Sequence, residues 1–126
     1  MPLTVAINDK TKGILILIPK GRIDSETYEV FDKKLDLVLE ASPKTLVIDM
    51  SDVYYISSSG IGVVLRAYRE MGKKKTGKVI ITNLQPHVRK VFDILKALPD
   101  QAVFSSMQEV DKYLDAMQTG ETEDEV

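Results

Sequence analysis

A single α/β domain, with about four helices alternating with the strands of a four- to five-stranded mixed sheet, is the fold this sequence predicts. Short runs of branched aliphatic residues, ILILI at 14–18, TLVIDM at 45–50 and KVIIT at 78–82, have the length and composition of buried strands. Between and after these runs, apolar residues recur with the spacing of one helix face. The 126 residues suffice for one hydrophobic core, and no shift of composition marks a second.

Leu3, Val5 and Ile7 alternate with Pro2, Thr4 and Ala6, the period of a half-exposed strand, and Asn8 to Gly13 reads as the turn of an edge hairpin. The run Ile14 to Ile18 then forms a covered strand. Beyond Pro19 and the segment KGRID, Ser25 and Glu26 give the cap and first-turn signals of a helix that presents Tyr28, Phe31, Leu35 and Val38 on one side. Ser42 and Pro43 end it.

Thr45 to Met50 is the next buried strand, with Asp49 at its carboxyl end, and SDVYYI at 51–56 is expected to be an irregular link. That link leads into three consecutive serines, Ser57, Ser58 and Ser59, at the start of a second helix. Ile61, Val64, Leu65, Tyr68 and Met71 share one face of this helix, and Arg66, Arg69 and Glu70 fall elsewhere. Gly72 and the following lysines terminate it. Lys78 to Thr82 is a third buried strand, after which Pro86 opens a helix carrying Val88, Val91, Phe92 and Leu95, closed by Pro99. Ala102 to Phe104 reads as a short last strand. Ser106 with Glu109 has the spacing of a capping box for a final helix with Val110, Tyr113, Leu114 and Met117 on its apolar stripe. The domain is expected to span residues 1–117, and the acid-rich residues 118–126 to form a disordered tail that buries too little apolar surface to offset its ordering entropy.

The chemistry-bearing stretch is the second helix start. A serine there can cap backbone N–H groups that lack an intrahelical partner, act as a nucleophile, or accept a phosphoryl group. One serine suffices as a cap. Gly60 and Gly62 each weaken the helix by about 0.8–1 kcal/mol relative to alanine, and bare backbone in their place permits close approach by a strand, a ligand or another protein. The same N–H groups favour anions.

Other chemistries find little support. A net charge of −2 gives no electrostatic footprint for nucleic acid or an anionic membrane. With no cysteine and one histidine, His87, neither disulfides nor a thiolate or histidine metal site can form. The GKKKTGK pattern lacks the hydroxyl residue that a phosphate loop needs after its lysine, and the residues around Ser59 lack the glycines of a nucleophile elbow. Asp24 and Asp49 alone stand near strand ends, too little for acid–base catalysis. No apolar run reaches membrane-spanning length. The expectation is a soluble, cytoplasmic binding protein that needs no cofactor and is not an enzyme.

The segment LVIDMSDVYYISSSGIGVVLRAYREM resembles the central block of STAS domains, in particular the bacterial anti-sigma-factor antagonists, with an aliphatic strand ending D-[LM]-S followed by [FY]-[IM]-[DS]-S-[SA]-G. GRIDSET at 21–27 and VRKVFDILKALPDQAVFSSMQEV at 88–110 are similar to the family's blocks on either side. The resemblance implies an antagonist that, unphosphorylated, binds an anti-sigma factor and so frees a sigma factor. That partner is also a serine kinase of the histidine-kinase-like ATPase fold, and a serine phosphatase reverses its action. The resemblance carries the phosphorylated position to Ser58, ahead of Ser57 and Ser59, and the family's nearby acidic position to Asp24; a partner docked over this helix start is expected to contact Asp24, Ile56, Ser57, Ser59, Gly60 and Ile61. Ser57 stands where many antagonists have aspartate. An alternative within the family is an unphosphorylated scaffold or accessory subunit of a stress-signalling or transport complex.

Overall fold

The computed structural model describes residues 3–11, 13–73 and 77–97. Within them the order is β1 (Thr4–Thr11), β2 (Ile14–Ile23), α1 (Tyr28–Glu40), β3 (Thr45–Asp49), β4 (Asp52–Ile56), α2 (Ser58–Gly72), β5 (Lys78–Thr82) and α3 (Pro86–Ala97). The expected last strand, final helix and acidic tail lie outside the described residues, as does the expected boundary between domain and tail.

The five strands form one mixed sheet in which β2 is central. It pairs antiparallel with β1 and parallel with both β3 and β4, while β5 lies parallel on the far side of β3. At ten residues, β2 is long enough to hold two five-residue strands end to end along one edge. Asp52–Ile56 is therefore a strand where an irregular link over 51–56 was expected. Its composition, Val53, Tyr54, Tyr55 and Ile56, favours an extended chain. The sequence also understates β2, which continues through Pro19 to Ile23. Proline lacks the N–H that a ladder needs, and Pro19 falls where the parallel neighbour changes, since β3 pairs as far as Leu17 and β4 begins at Lys20. On the other edge β1 runs to Thr11, so Asn8 to Thr11 are strand where a turn was expected, and Gly13, just before β2, has a φ of +86° that suits glycine.

The break between β3 and β4 is clasped by the segment leading into α3. Asn83 Nδ2 donates to Asp49 Oδ1 at 3.2 Å, Gln85 Nε2 to the Ser51 carbonyl at 2.9 Å, and His87 Nε2 to the Tyr54 carbonyl at 2.6 Å. Tyr54 is the extra residue of a bulge, lying between the pairs Gly21–Val53 and Arg22–Tyr55. His87 thus supplies a partner where the ladder is irregular.

Helices α1 and α2 pack on each other and on the sheet, and α3 contacts β4. Phe31, Leu35 and Val38 of α1 are buried as their spacing predicts, with Leu17, Ile23, Leu46, Ile48, Met50, Val53 and Ile56 from the strands. In α3, Val88 and Val91 are buried and Phe92 packs partly against them. On α2 the buried face is Gly60, Ile61, Val63, Val64, Ala67 and Met71. Leu65 and Tyr68, expected on that face, are 56% and 47% exposed. The helix is rotated so that small residues meet the strands. Arg66 faces α1, its guanidinium reaching Asp32 Oδ1 at 2.8 Å and Asp36 Oδ1 at 2.7 Å, and the two carboxylates hold its pKa above the ordinary value against the opposing effect of burial.

Candidate functional site

The site lies where β2 and β4, neighbouring parallel strands, end together. Ile23 pairs with Ile56, and Ser57 N–H donates to the Ile23 carbonyl at 2.9 Å, so the chain enters α2 directly from the last rung of the sheet. Ser57 is the N-cap, in extended backbone, and its Oγ accepts from Gly60 N–H at a long 3.5 Å. Its own carbonyl accepts from Ile61 N–H at 2.9 Å. Ser57 is buried at 6% exposure, whereas Ser58 and Ser59 are half-buried. The three serines are thereby separated into one cap and two hydroxyl groups on the first turn.

Gly60 explains how the turn sits so low. A Cβ at this position would stand 2.6 Å from Ile23 Cγ2 and 2.6 Å from Ile56 Cγ1, so the helix backbone rests on the side chains of both strands. Gly62 has nothing within 4 Å of its Cβ position. The two glycines, indistinguishable in the sequence, answer to different needs.

Across from the serines, the end of β2 turns through Asp24. Gly21 adopts φ +126° beside the bulge, a conformation that favours glycine. Asp24 Oδ1 accepts from Glu26 N–H at 2.9 Å and Thr27 N–H at 3.1 Å. Thr27 Oγ1 in turn accepts from Asp24 N–H at 2.9 Å and donates to the Arg22 carbonyl at 2.7 Å. The expected cap residue Ser25 is replaced in this role: α1 begins at Tyr28 with Thr27 as N-cap, and Asp24 supplies the side-chain acceptor. Arg22 Nε donates to Asp24 Oδ2 at 2.9 Å, while its guanidinium carbon lies 3.6 Å from the centre of the Tyr55 ring. Burial raises the Asp24 pKa, but the bonds from Glu26, Arg22 and Thr27, with the charge of Arg22, outweigh it and leave the carboxylate below its usual range.

Of the residues expected at the site, the structure gathers Asp24, Ser58 and Ser59 at the surface end of β2 and α2, and places Ile56, Ser57, Gly60 and Ile61 beneath them. Arg22 and Tyr55 lie outside the expected set. Strand pairing brings them together, residue 22 of β2 opposite residue 55 of β4. For chemistry at the serines, His87 is committed, because a backbone carbonyl only accepts and Nε2 must donate its proton to it. The arrangement places the half-buried hydroxyl groups of Ser58 and Ser59 on the first turn of a helix anchored to the sheet.

A family model for the STAS domain matches residues 6–110. The chain belongs to the STAS domain family. Among its relatives, BtrV of Bordetella bronchiseptica, provisionally named an anti-sigma factor antagonist, is 33% identical over 86 residues, covering 68% of this chain and 73% of BtrV. The anti-sigma F factor antagonist of Paenibacillus polymyxa is 24% identical over 66% of this chain and 71% of its own. Among solved structures, the antagonist SpoIIAA in its unphosphorylated form superimposes with a TM-score of 0.65 at 24% identity, covering 74% of this STAS chain and 81% of SpoIIAA. The phosphorylated form of Bacillus SpoIIAA gives 0.61 at 24% identity, covering 73% and 83%. These likenesses establish the mixed sheet with its flanking helices as the STAS fold. Among the described residues no helix is long and apolar enough to cross a membrane.

Proposed function

We propose that this STAS domain is an anti-sigma-factor antagonist switched by phosphorylation of Ser58. Unphosphorylated, it binds an anti-sigma factor that is also a serine kinase, which frees the sigma factor. The kinase transfers the γ-phosphoryl group of ATP to Ser58 Oγ, ADP leaves, the hydroxyl proton passes to a base of the kinase, and the complex dissociates; a serine phosphatase restores the hydroxyl. The domain itself performs no catalysis in this cycle and needs no cofactor.

The observation that carries this reading is the contrast between adjacent serines. Ser57 is spent as a buried cap, so the first hydroxyl that a partner can reach on the helix is that of Ser58, with Ser59 and Asp24 beside it. The relatives named as anti-sigma factor antagonists support the same role. A phosphoryl group adds about −1.5 to −2 charges and strong acceptors at a helix N-terminus, where the domain tolerates an anion. A docked partner must instead accommodate the same group without its water. Asp24 and Ser59 form the contact rim, and Ile56, Ser57, Gly60 and Ile61 act from below by fixing its position.

The test is binding to the purified ATP-binding anti-sigma factors of the source organism with adenine nucleotide present. Wild type and Ser58→Ala bind one of them, Ser58→Asp does not, and mass measurement after incubation with ATP shows a single phosphoryl group on wild type that Ser58→Ala lacks. Equal binding by all three forms overturns the switch. Binding without modification favours the scaffold alternative.

A further inference from the structure

Both faces of β2 are aliphatic from Ile14 to Ile18, the composition of a strand covered on two sides. Among the described residues only one side is covered. Leu17, Leu46 and Ile48 are fully buried in the core shared with α1 and α2, and Val79 and Ile81 of β5 pack against that core. The alternate residues are Ile14, Ile16 and Ile18 of β2, Val47 of β3 and Ile80 of β5, and they lie outside the core cluster of the described residues. The first four are half-buried and Ile80 is 43% exposed. A sheet with one wet face normally alternates apolar with polar side chains. Here the outer face holds branched aliphatic residues side by side on three neighbouring strands.

The strand register determines what fits on that face. Pairing sets Asn8, Ile16, Val47 and Ile80 in one row across its middle. Two residues toward one end lie Ile14, Thr45 and Lys78, and two residues toward the other lie Ile18, Asp49 and Thr82. A second copy laid face to face, with a twofold axis along the middle row, sets each residue of that row against itself and each end row against the opposite one. Ile14 then meets Ile18, Thr45 meets Asp49, and the ammonium group of Lys78 meets Thr82 beside Asp49. Apolar groups fall on apolar groups, and the cation falls near a carboxylate. The amide of Asn8 has both donors and an acceptor, so it too can pair with its own copy.

We propose that the outer face of the sheet, centred on Ile16, Val47 and Ile80, is a homodimer interface on which a second copy of this chain packs with its strands antiparallel. Five residues on each of four strands cover about 19 Å by 17 Å, at a strand spacing of about 4.8 Å and a rise of about 3.4 Å. That footprint is smaller than the roughly 800 Å² per partner of a stable complex, so the dimer is reversible rather than obligate. Because α2 packs on the opposite face, with Gly60 against Ile23 and Ile56, Ser58 is no more covered in the dimer than in the single chain. The dimer thus carries two copies of the serine turn.

Sedimentation equilibrium of the full-length chain, from low micromolar to several hundred micromolar concentration, tests the interface. The mass of wild type rises toward that of two chains. Ile80→Glu, which sets two like charges against each other on the twofold axis, weakens association about tenfold or more, while its melting temperature in dilute solution stays within a few degrees of wild type. Lys78→Glu weakens association less, and its loss shrinks at high salt. The chain has no cysteine, so Ile80→Cys supplies a single thiol that a short bismaleimide joins to its own copy, whereas Leu37→Cys, at an exposed position on α1, stays unlinked. A wild type that remains monomeric throughout the range overturns the proposal. A much lowered melting temperature for Ile80→Glu then assigns the cover to residues 98–126 of the same chain, and an unchanged one leaves the face to water. A dimer that forms equally well with Ile80→Glu, and does not crosslink through position 80, also overturns it, since the interface then lies elsewhere.

Discussion

Gly60 and Ile56 are packed so closely that a methyl group on the glycine would stand 2.6 Å from Ile56 Cγ1. Neither side can yield easily, because Ile56 is fully buried and the helix backbone is tied to the strand end through Ser57. Gly60→Ala is therefore expected to destabilise the domain by about 1–3 kcal/mol despite alanine's better helix propensity. Denaturant titration checks this; an unchanged midpoint would show that the helix start can lift at little cost.

Adjacent serines are expected to respond differently. Ser57→Ala removes the cap that accepts from Gly60 N–H and costs about 0.5–1 kcal/mol, the lower part of the usual range because the bond is long at 3.5 Å. Ser58→Ala, one residue into the helix, changes stability by less than about 0.5 kcal/mol. The comparison is made by thermal unfolding at neutral pH, and a larger loss for Ser58→Ala than for Ser57→Ala contradicts the assignment of the cap.

Acid is expected to weaken the clasp around the β3–β4 break. At Asp49, burial raises the pKa, but the bonds from Ser51 and Asn83 outweigh it, so the folded value lies below that of an ordinary aspartate. A depressed carboxylate contributes stability that is fully present above its unfolded pKa and is lost as pH falls through the folded value. Asp49→Asn is then less stable than wild type at pH 7, and the difference closes as the pH drops below about 4. Unfolding measured between pH 7 and pH 2.5 tests the sign; a gap that widens in acid refutes it.

Arg66 is expected to show coupling to α1 that a lysine cannot reproduce. Its fork spans Asp32 and Asp36, one helical turn apart, with Nε at 2.9 Å from Asp32 Oδ1 and Nη2 at 2.7 Å from Asp36 Oδ1. The groups are partly exposed, so a double-mutant cycle of Arg66→Lys with Asp36→Asn is expected to give a coupling of about 1 kcal/mol or less, falling with salt. Zero coupling at low salt would show that the fork adds nothing to the packing of α2 on α1.

The alternation of apolar runs was enough to find β2, β3, β5 and the three described helices, because buried elements carry their periodicity in the chain itself. What it could not supply was the neighbour of each element. Segment 51–56 has strand-forming residues, but only the length of β2, extended past Pro19, makes room for a second parallel partner. Leu65 and Tyr68 have the spacing of a core stripe as good as that of Val63 and Ala67, and the choice between them depends on Gly60 letting the helix settle against Ile23 and Ile56. At the site, the family pattern pointed to Ser58 and Asp24, and Asp24 proves to be the carboxylate that organises the turn into α1. Arg22 and Tyr55 gained their place beside it through strand pairing, which no local pattern records.

The central position of β2 has a consequence for slow amide exchange. Because one strand carries β1, β3, β4 and, through Ser57, the start of α2, its N–H groups can open only when the whole sheet does, while the first turn above them can fray alone. That turn can thus open momentarily without disturbing the platform beneath, and deuterium uptake should divide sharply between Ile23 and the turn that follows Ser57.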